Sequence, residues 1–144
     1  MIEEPLNAHA DVVISIAIGL PDPYAGELPT AYVVKIANSN VTEQQLIDHC
    51  ASTISERAAI PKKITFIDAM PLTAVGKIFR PTLRQKISEQ VISELLAKES
   101  IDATITSEME KKRGLVLSID VADKIKIDKV KKLVEGYIFT SEVN

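Results

Sequence analysis

The stretch VVISIAIGLPDPYAGELPTAYVVKI, residues 12–36, decides how this chain is read. Residues 12–18 are an almost unbroken apolar run, rich in Val and Ile, between Asp11 and Gly19. A run that short and so bounded is a buried strand. Residues 20–29 then crowd Pro and Gly together, which is a turn signal. Residues 30–36, TAYVVKI, are β-rich again. The two runs predict an antiparallel hairpin with a long loop.

Working outward, residues 2–9 (IEEPLNAH) predict a short helix with Pro5 in its first turn, where proline is tolerated. Thr42 followed by Gln45 makes a capping box. The helix it opens carries Leu46, Ile47, Cys50, Ala51, Ile54 and Ala58 at helical spacing and is expected to end before Pro61. Residues 62–68 (KKITFID) predict a third strand. Pro81 suits the first turn of the next helix, along which Leu83, Ile87, Val91 and Leu95 step by four as one apolar stripe. From residue 101 the character changes. IDATITSEME and LVLSIDV flank KKRG as a second hairpin. KIDKVKKLVEGY follows as a basic amphipathic helix, with Ile127, Val130, Val134 and Tyr137 on one face and Gly136 as its stop. A last strand is placed at 137–140. No internal repeat stands out. The expected class is α+β: a small three-stranded sheet flanked by helices in the order β-β-α-β-α, with a C-terminal β-β-α extension. Residues 1–100 are read as one domain and 101–144 as an extension to it.

A chain of 144 residues can bury a core without staples. Its content, 46% hydrophobic and 26% charged, is globular and not disordered. No apolar run is long enough to cross a bilayer, and no secretory signal opens the chain. The single cysteine, Cys50, rules out an internal disulfide, no Cys/His cluster has metal-ligand spacing, and a reducing cytoplasm fits. Net charge is −3, but it is segregated. Residues 61–86 hold six basic side chains (Lys62, Lys63, Lys77, Arg80, Arg84, Lys86) against Asp68 alone. A local positive zone on an acidic protein argues against nucleic acid and for a small anionic ligand or a transition-state anion.

That zone contains MPLTAVGKIFRPTLR, residues 70–84. Gly76 permits positive φ and close approach of the backbone to a ligand. Lys77 has no carboxylate side chain within three residues, and a lysine ammonium is a compact charge on a flexible stem, suited to a phosphate or a developing oxyanion. Arg80 and Arg84, one and two turns further on, are expected to reinforce the field. Spacing alone leaves open that Gly76-Lys77 is a solvated turn. It is not a phosphate-binding loop of the Gly-x-x-x-x-Gly-Lys-[Ser/Thr] kind, because position 71 is Pro and position 78 is Ile. Cys50, beside His49, is read as a small core hydrophobe, since no base flanks it. His9 and Asp11 are read as surface groups, and KIKIDKVKK as a solvated helix face.

The same stretch resembles the final core motif of the AMP-forming adenylating enzymes: acyl- and acetyl-CoA synthetases, nonribosomal peptide adenylation domains and luciferases. Pro71, Leu72, Thr73, Gly76, Lys77, Arg80 and Arg84 all match its pattern. HADVVISIAIGLPDPYAGELPTAYVV (9–34) is similar to the strand, Pro-Asp turn and Gly-Glu that open the family's small C-terminal domain, and IEEPLNAH to the helix after its hinge. The resemblance covers residues 2–95. It implies a two-step ligase using ATP, Mg2+ and CoA, in which the small domain rotates between steps and Lys77 serves adenylation of a small-molecule carboxylic acid. It also implies a missing partner, the large N-terminal adenylation domain of the same chain, without which this segment is expected to be inactive. Two alternatives stand beside it: a stand-alone regulatory or binding module, which has no need of Gly76-Lys77, and an adenylation domain loading a carrier protein.

Overall fold

The first hairpin is longer, and its turn tighter, than the Pro and Gly density suggests. In the computed structural model, which describes residues 2–144, strand β1 is Val12–Asp22 and β2 is Gly26–Lys35. Only residues 23–25 connect them. Asp22 closes the turn by accepting the N–H groups of Tyr24 and Ala25 (3.0 and 2.8 Å), and Gly26 supplies φ +80°.

Helix α1 is Glu3–Ala8 and α2 is Glu43–Thr53. The capping box forms as expected: Thr42 Oγ1 accepts the Gln45 N–H (3.2 Å) and Gln45 Oε1 accepts the Thr42 N–H (2.9 Å). α2 ends well short of Pro61. The hydroxyls of Ser52 and Thr53 both donate to the His49 carbonyl (2.7 and 3.1 Å), and Ile54 turns to extended backbone. Ala58 therefore lies in a separate 3-10 turn, Arg57–Ala59. β3, Lys63–Phe66, pairs in parallel with β2, from Thr30↔Lys63 to Val33↔Phe66. Parallel pairing needs a crossover, which α2 provides. The sheet order is β1-β2-β3.

Helix side chains cap both edges of this sheet. Glu3 and Asn7 are four apart on α1, and Ser15 and Ala17 are two apart on β1, so the two spacings match at roughly 6–7 Å. Glu3 Oε1 accepts the Ala17 N–H and Asn7 Oδ1 accepts the Ser15 N–H, each at 2.9 Å. On the far edge, Glu43 Oε2 accepts the Ile64 N–H at 2.7 Å. Open strand edges invite unwanted pairing, and these bonds close them.

The chain divides into two compact units, Met1–Gly19 with Leu28–Arg80, and Leu20–Glu27 with Pro81–Asn144. The first has a core built on Leu6, Val33, Leu46, Cys50 and Ile64. In the second, α3 (Arg80–Lys98) precedes β4 (Ala103–Glu110) and β5 (Gly114–Val121), an antiparallel hairpin in register from Ala103↔Val121 to Glu110↔Gly114. α4, Ile127–Val134, crosses over to β6, Thr140–Val143, parallel to β5. The last strand thus starts at 140, not 137. Residues 136–139 serve as the connection: Gly136 lies against Pro23, and Tyr137 stacks on Phe139 (5.4 Å, 19°). Tyr137 falls beyond α4 but packs on the core that Val130 and Val134 enter. On α3 the buried line is Leu83, Ile87, Ile92 and Leu96, with Val91 and Leu95 half-buried. Steps of four overshoot a full turn by about 40°, so a stripe of fours winds off the core and the burial shifts register. Each unit's sheet is built β-β-α-β, with three strands in sequence order. Among the described residues no helix is long and apolar enough to cross a membrane.

Candidate functional site

The MPLTAVGK segment folds into a small ordered hairpin. Its base is closed by the Phe79 N–H donating to the Pro71 carbonyl (2.8 Å) and by an antiparallel bridge between Leu72 and Ile78. At the tip, the Gly76 N–H donates to the Thr73 carbonyl (3.0 Å) and the Thr73 N–H to the Lys77 carbonyl (2.7 Å). With Gly76 at φ +83°, this is a three-residue turn ended by a glycine bulge. The Thr73 hydroxyl accepts the Lys77 N–H at 3.2 Å. Each motif residue therefore contributes locally. Pro71 supplies the base acceptor, Thr73 holds both ends of the tip, and Gly76 takes the left-handed position. The positive φ expected of Gly76 is what closes the tip of the hairpin.

Lys77 is the residue so presented. Both its backbone polar groups are used, and its side chain is exposed, with no hydrogen-bond or ion-pair partner among the described residues. The chain enters the hairpin at buried Met70 and leaves it at Arg80. Arg80 does not stand free. Its Nη1 donates to the Ala17 carbonyl (3.0 Å) and its Nη2 lies 3.5 Å from Glu3 Oε1, the oxygen that accepts the Ala17 N–H. Glu3 is thus its nearest carboxylate, in a partly exposed pair. Arg84 is exposed on α3, in the second unit. Sequence reasoning missed Glu3 and Ala17, which lie 77 and 63 positions from Arg80, beyond any local spacing signal.

The secondary candidates resolve as structure. Cys50 is fully buried, and burial pushes its thiol pKa up, away from the thiolate that nucleophilic attack needs. His9 and His49 meet edge to face at 5.0 Å. His9 Nδ1 accepts the Asp11 N–H (3.1 Å), and His49 Nε2 bonds the Pro5 carbonyl (2.9 Å), tying α1 to α2. No group of three or more His, Cys, Asp or Glu that could hold a metal occurs among the described residues.

Residues 1–77, through the lysine of the hairpin, match the family of the AMP-binding enzyme C-terminal domain. Marinolic acid–CoA ligase of a Pseudoalteromonas species is 36% identical over 124 residues, which are 85% of this chain and 19% of that protein. A fatty acyl CoA synthetase of Mycobacterium tuberculosis superposes at a TM-score of 0.57 with 36% identity, over 62% of this chain and 17% of that one. MatB of Rhodopseudomonas palustris gives 0.57 at 31%, over 62% and 18%. The chain therefore spans about a fifth of the length of the relatives it matches. It belongs to the AMP-binding enzyme C-terminal domains of the adenylate-forming acyl-CoA ligase superfamily.

Proposed function

We propose that this chain is the mobile lid of an ATP-dependent acid–CoA ligase and that Lys77 is its catalytic residue. In this reading residues 1–100 form the lid and 101–144 extend it. The partner is the N-terminal adenylation domain of the same protein, in the cytoplasm. In the first step a carboxylate oxygen of a small-molecule acid attacks the α-phosphorus of ATP and pyrophosphate leaves. In the second the CoA thiol attacks the acyl carbonyl and AMP leaves. Mg2+ travels with the ATP phosphates. Lys77 contacts the carboxylate and phosphate oxygens where charge develops in the first step. A fixed cation there acts on the transition state more than on bound substrate. Pro71, Leu72, Thr73 and Gly76 shape the hairpin that carries it, and Arg84 belongs to the same motif. The chain alone has no ligase activity.

The observation that carries this reading is an exposed ammonium without a partner among the described residues, on a hairpin whose own hydrogen bonds fix its base and tip. The test is Lys77→Ala in the full-length ligase, assayed as two half-reactions. Adenylation, read by pyrophosphate exchange, should fall by roughly 10²–10³. Thioester formation from preformed acyl-adenylate should stay within about threefold. Equal loss in both would refute the assignment.

A further inference from the structure

We infer that Arg80 is a positioning residue, clasped with Glu3 around the backbone of Ala17, and that this clasp holds the exit of the lysine hairpin. The inference rests on the reading of Lys77 above. The hairpin has two tethers. The entry is fixed by β3, by the Ile67 N–H donating to the Val33 carbonyl (2.9 Å) and by buried Met70. The exit has no buried side chain between Pro71 and Arg80. Its tether is the guanidinium of Arg80, placed immediately after the Phe79–Pro71 bond that closes the hairpin base.

The geometry of the clasp suits a guanidinium and not an ammonium. One nitrogen reaches the Ala17 carbonyl and another faces the Glu3 carboxylate, while that same carboxylate oxygen takes the Ala17 N–H. Both polar groups of one peptide residue on the outer edge of β1 are thereby held by side chains from α1 and from the first residue of α3. A planar fork serves two acceptors at fixed angles, where a lysine serves one at a time. With two of its nitrogens engaged at Ala17 and Glu3, Arg80 acts on the reaction through the placement of Lys77 and not as a phosphate ligand.

Four variants of the full-length ligase test this: Arg80→Ala, Arg80→Lys, Lys77→Ala and the Arg80→Ala/Lys77→Ala pair. Arg80→Ala should lower kcat for adenylation about tenfold, the scale of one lost charge-assisted hydrogen bond. KM for ATP should stay within about twofold. Arg80→Lys should remain impaired. The pair should be no slower than Lys77→Ala alone, because a clasp that acts only through the lysine has nothing left to place. A raised KM with unchanged kcat, full recovery by lysine, or additive losses in the pair would each overturn the inference. Amide hydrogen exchange in this chain gives an independent readout. The Lys77 and Phe79 amides should exchange about tenfold faster in Arg80→Ala. If Lys77→Ala leaves adenylation intact, the lysine reading fails, and exchange still decides whether Arg80 holds the hairpin: unchanged protection of both amides refutes the clasp.

Discussion

Replacing Gly76 by alanine isolates one term of the hairpin's energetics. A Cβ built at Gly76 meets nothing within 4 Å, so no neighbour must move. What remains is the backbone, held at φ +83°. That region costs a non-glycine residue about 1–2 kcal/mol. Alanine also narrows the unfolded ensemble, which returns about 0.4–1 kcal/mol. The net cost is about 1 kcal/mol, a factor of about five in the population of the ordered turn. Asparagine, which tolerates left-handed backbone, should fall between glycine and alanine, and β-branched valine below both. Urea unfolding of this chain should show the midpoint falling in the order Gly, Asn, Ala, Val, with an unchanged m value. Where the hairpin opens before the global transition, part of the effect moves from the midpoint to faster exchange of the Gly76 and Lys77 amides. On the function proposed above, adenylation by the full-length protein should fall in the same order. Alanine matching glycine in all three measurements would mean that the left-handed turn is not what orders the loop. A loss above about 3 kcal/mol would mean a steric clash, which the open space at this position excludes.

Gly136 should respond in the opposite way. Its φ lies outside the left-handed region, but an added Cβ would sit 3.0 Å from Pro23 Cβ and 3.6 Å from its Cα. Gly136→Ala should therefore cost about 1–3 kcal/mol by overpacking, and asparagine should be no better than alanine; equal stability of Gly136→Ala and the parent in urea would refute the contact. Cys50 gives a pH prediction. Its thiol pKa is raised by burial, so folding favours the protonated form. That contribution is present in full below the unfolded thiol pKa of about 8.5 and is lost as pH rises through the higher folded value. Stability should decline from about pH 8.5 upward, and Cys50→Ala should flatten the slope there. A thiol reagent at neutral pH should label Cys50 only at the rate of unfolding, and labelling as fast as a free thiol would contradict the burial.

Much of the fold was legible because it is written locally. The capping box at Thr42 and Gln45 sits at fixed spacing and forms as read. The Val and Ile runs of β1, β2 and β5 are buried-strand signals, and the lysine hairpin carries its Thr73–Gly76–Lys77 turn within a few consecutive positions. The errors fall where tertiary context overrides a local signal. Pro21 and Pro29 marked a loop, yet both lie inside strands, because Asp22 and Gly26 already satisfy a three-residue turn. The last strand starts three residues later than read because residues 136–139 are taken up by packing, Gly136 against Pro23 and Tyr137 against Phe139. The order hairpin, helix, strand was read in both units; what stayed out of reach was that each third strand pairs in parallel with the second, since pairing depends on contacts distant in sequence.

Arg80 shows what motif spacing leaves undetermined. In sequence it stands three residues after Lys77 in a basic zone, and the simplest reading gives both cations one anionic target. That reading counts charges along the chain and omits what the fold brings up from 63 and 77 positions away. A carboxylate at 3.5 Å and a peptide carbonyl at 3.0 Å occupy the guanidinium, whereas no comparable groups occupy the Lys77 ammonium among the described residues. Releasing Arg80 to bind a phosphate would cost those contacts and leave the Ala17 carbonyl without that donor. Lys77 has no protein contact of this kind to give up, among the described residues, when it reaches a ligand. The difference in partners, not the difference in distance from the glycine, is what distinguishes the two cations in this fold.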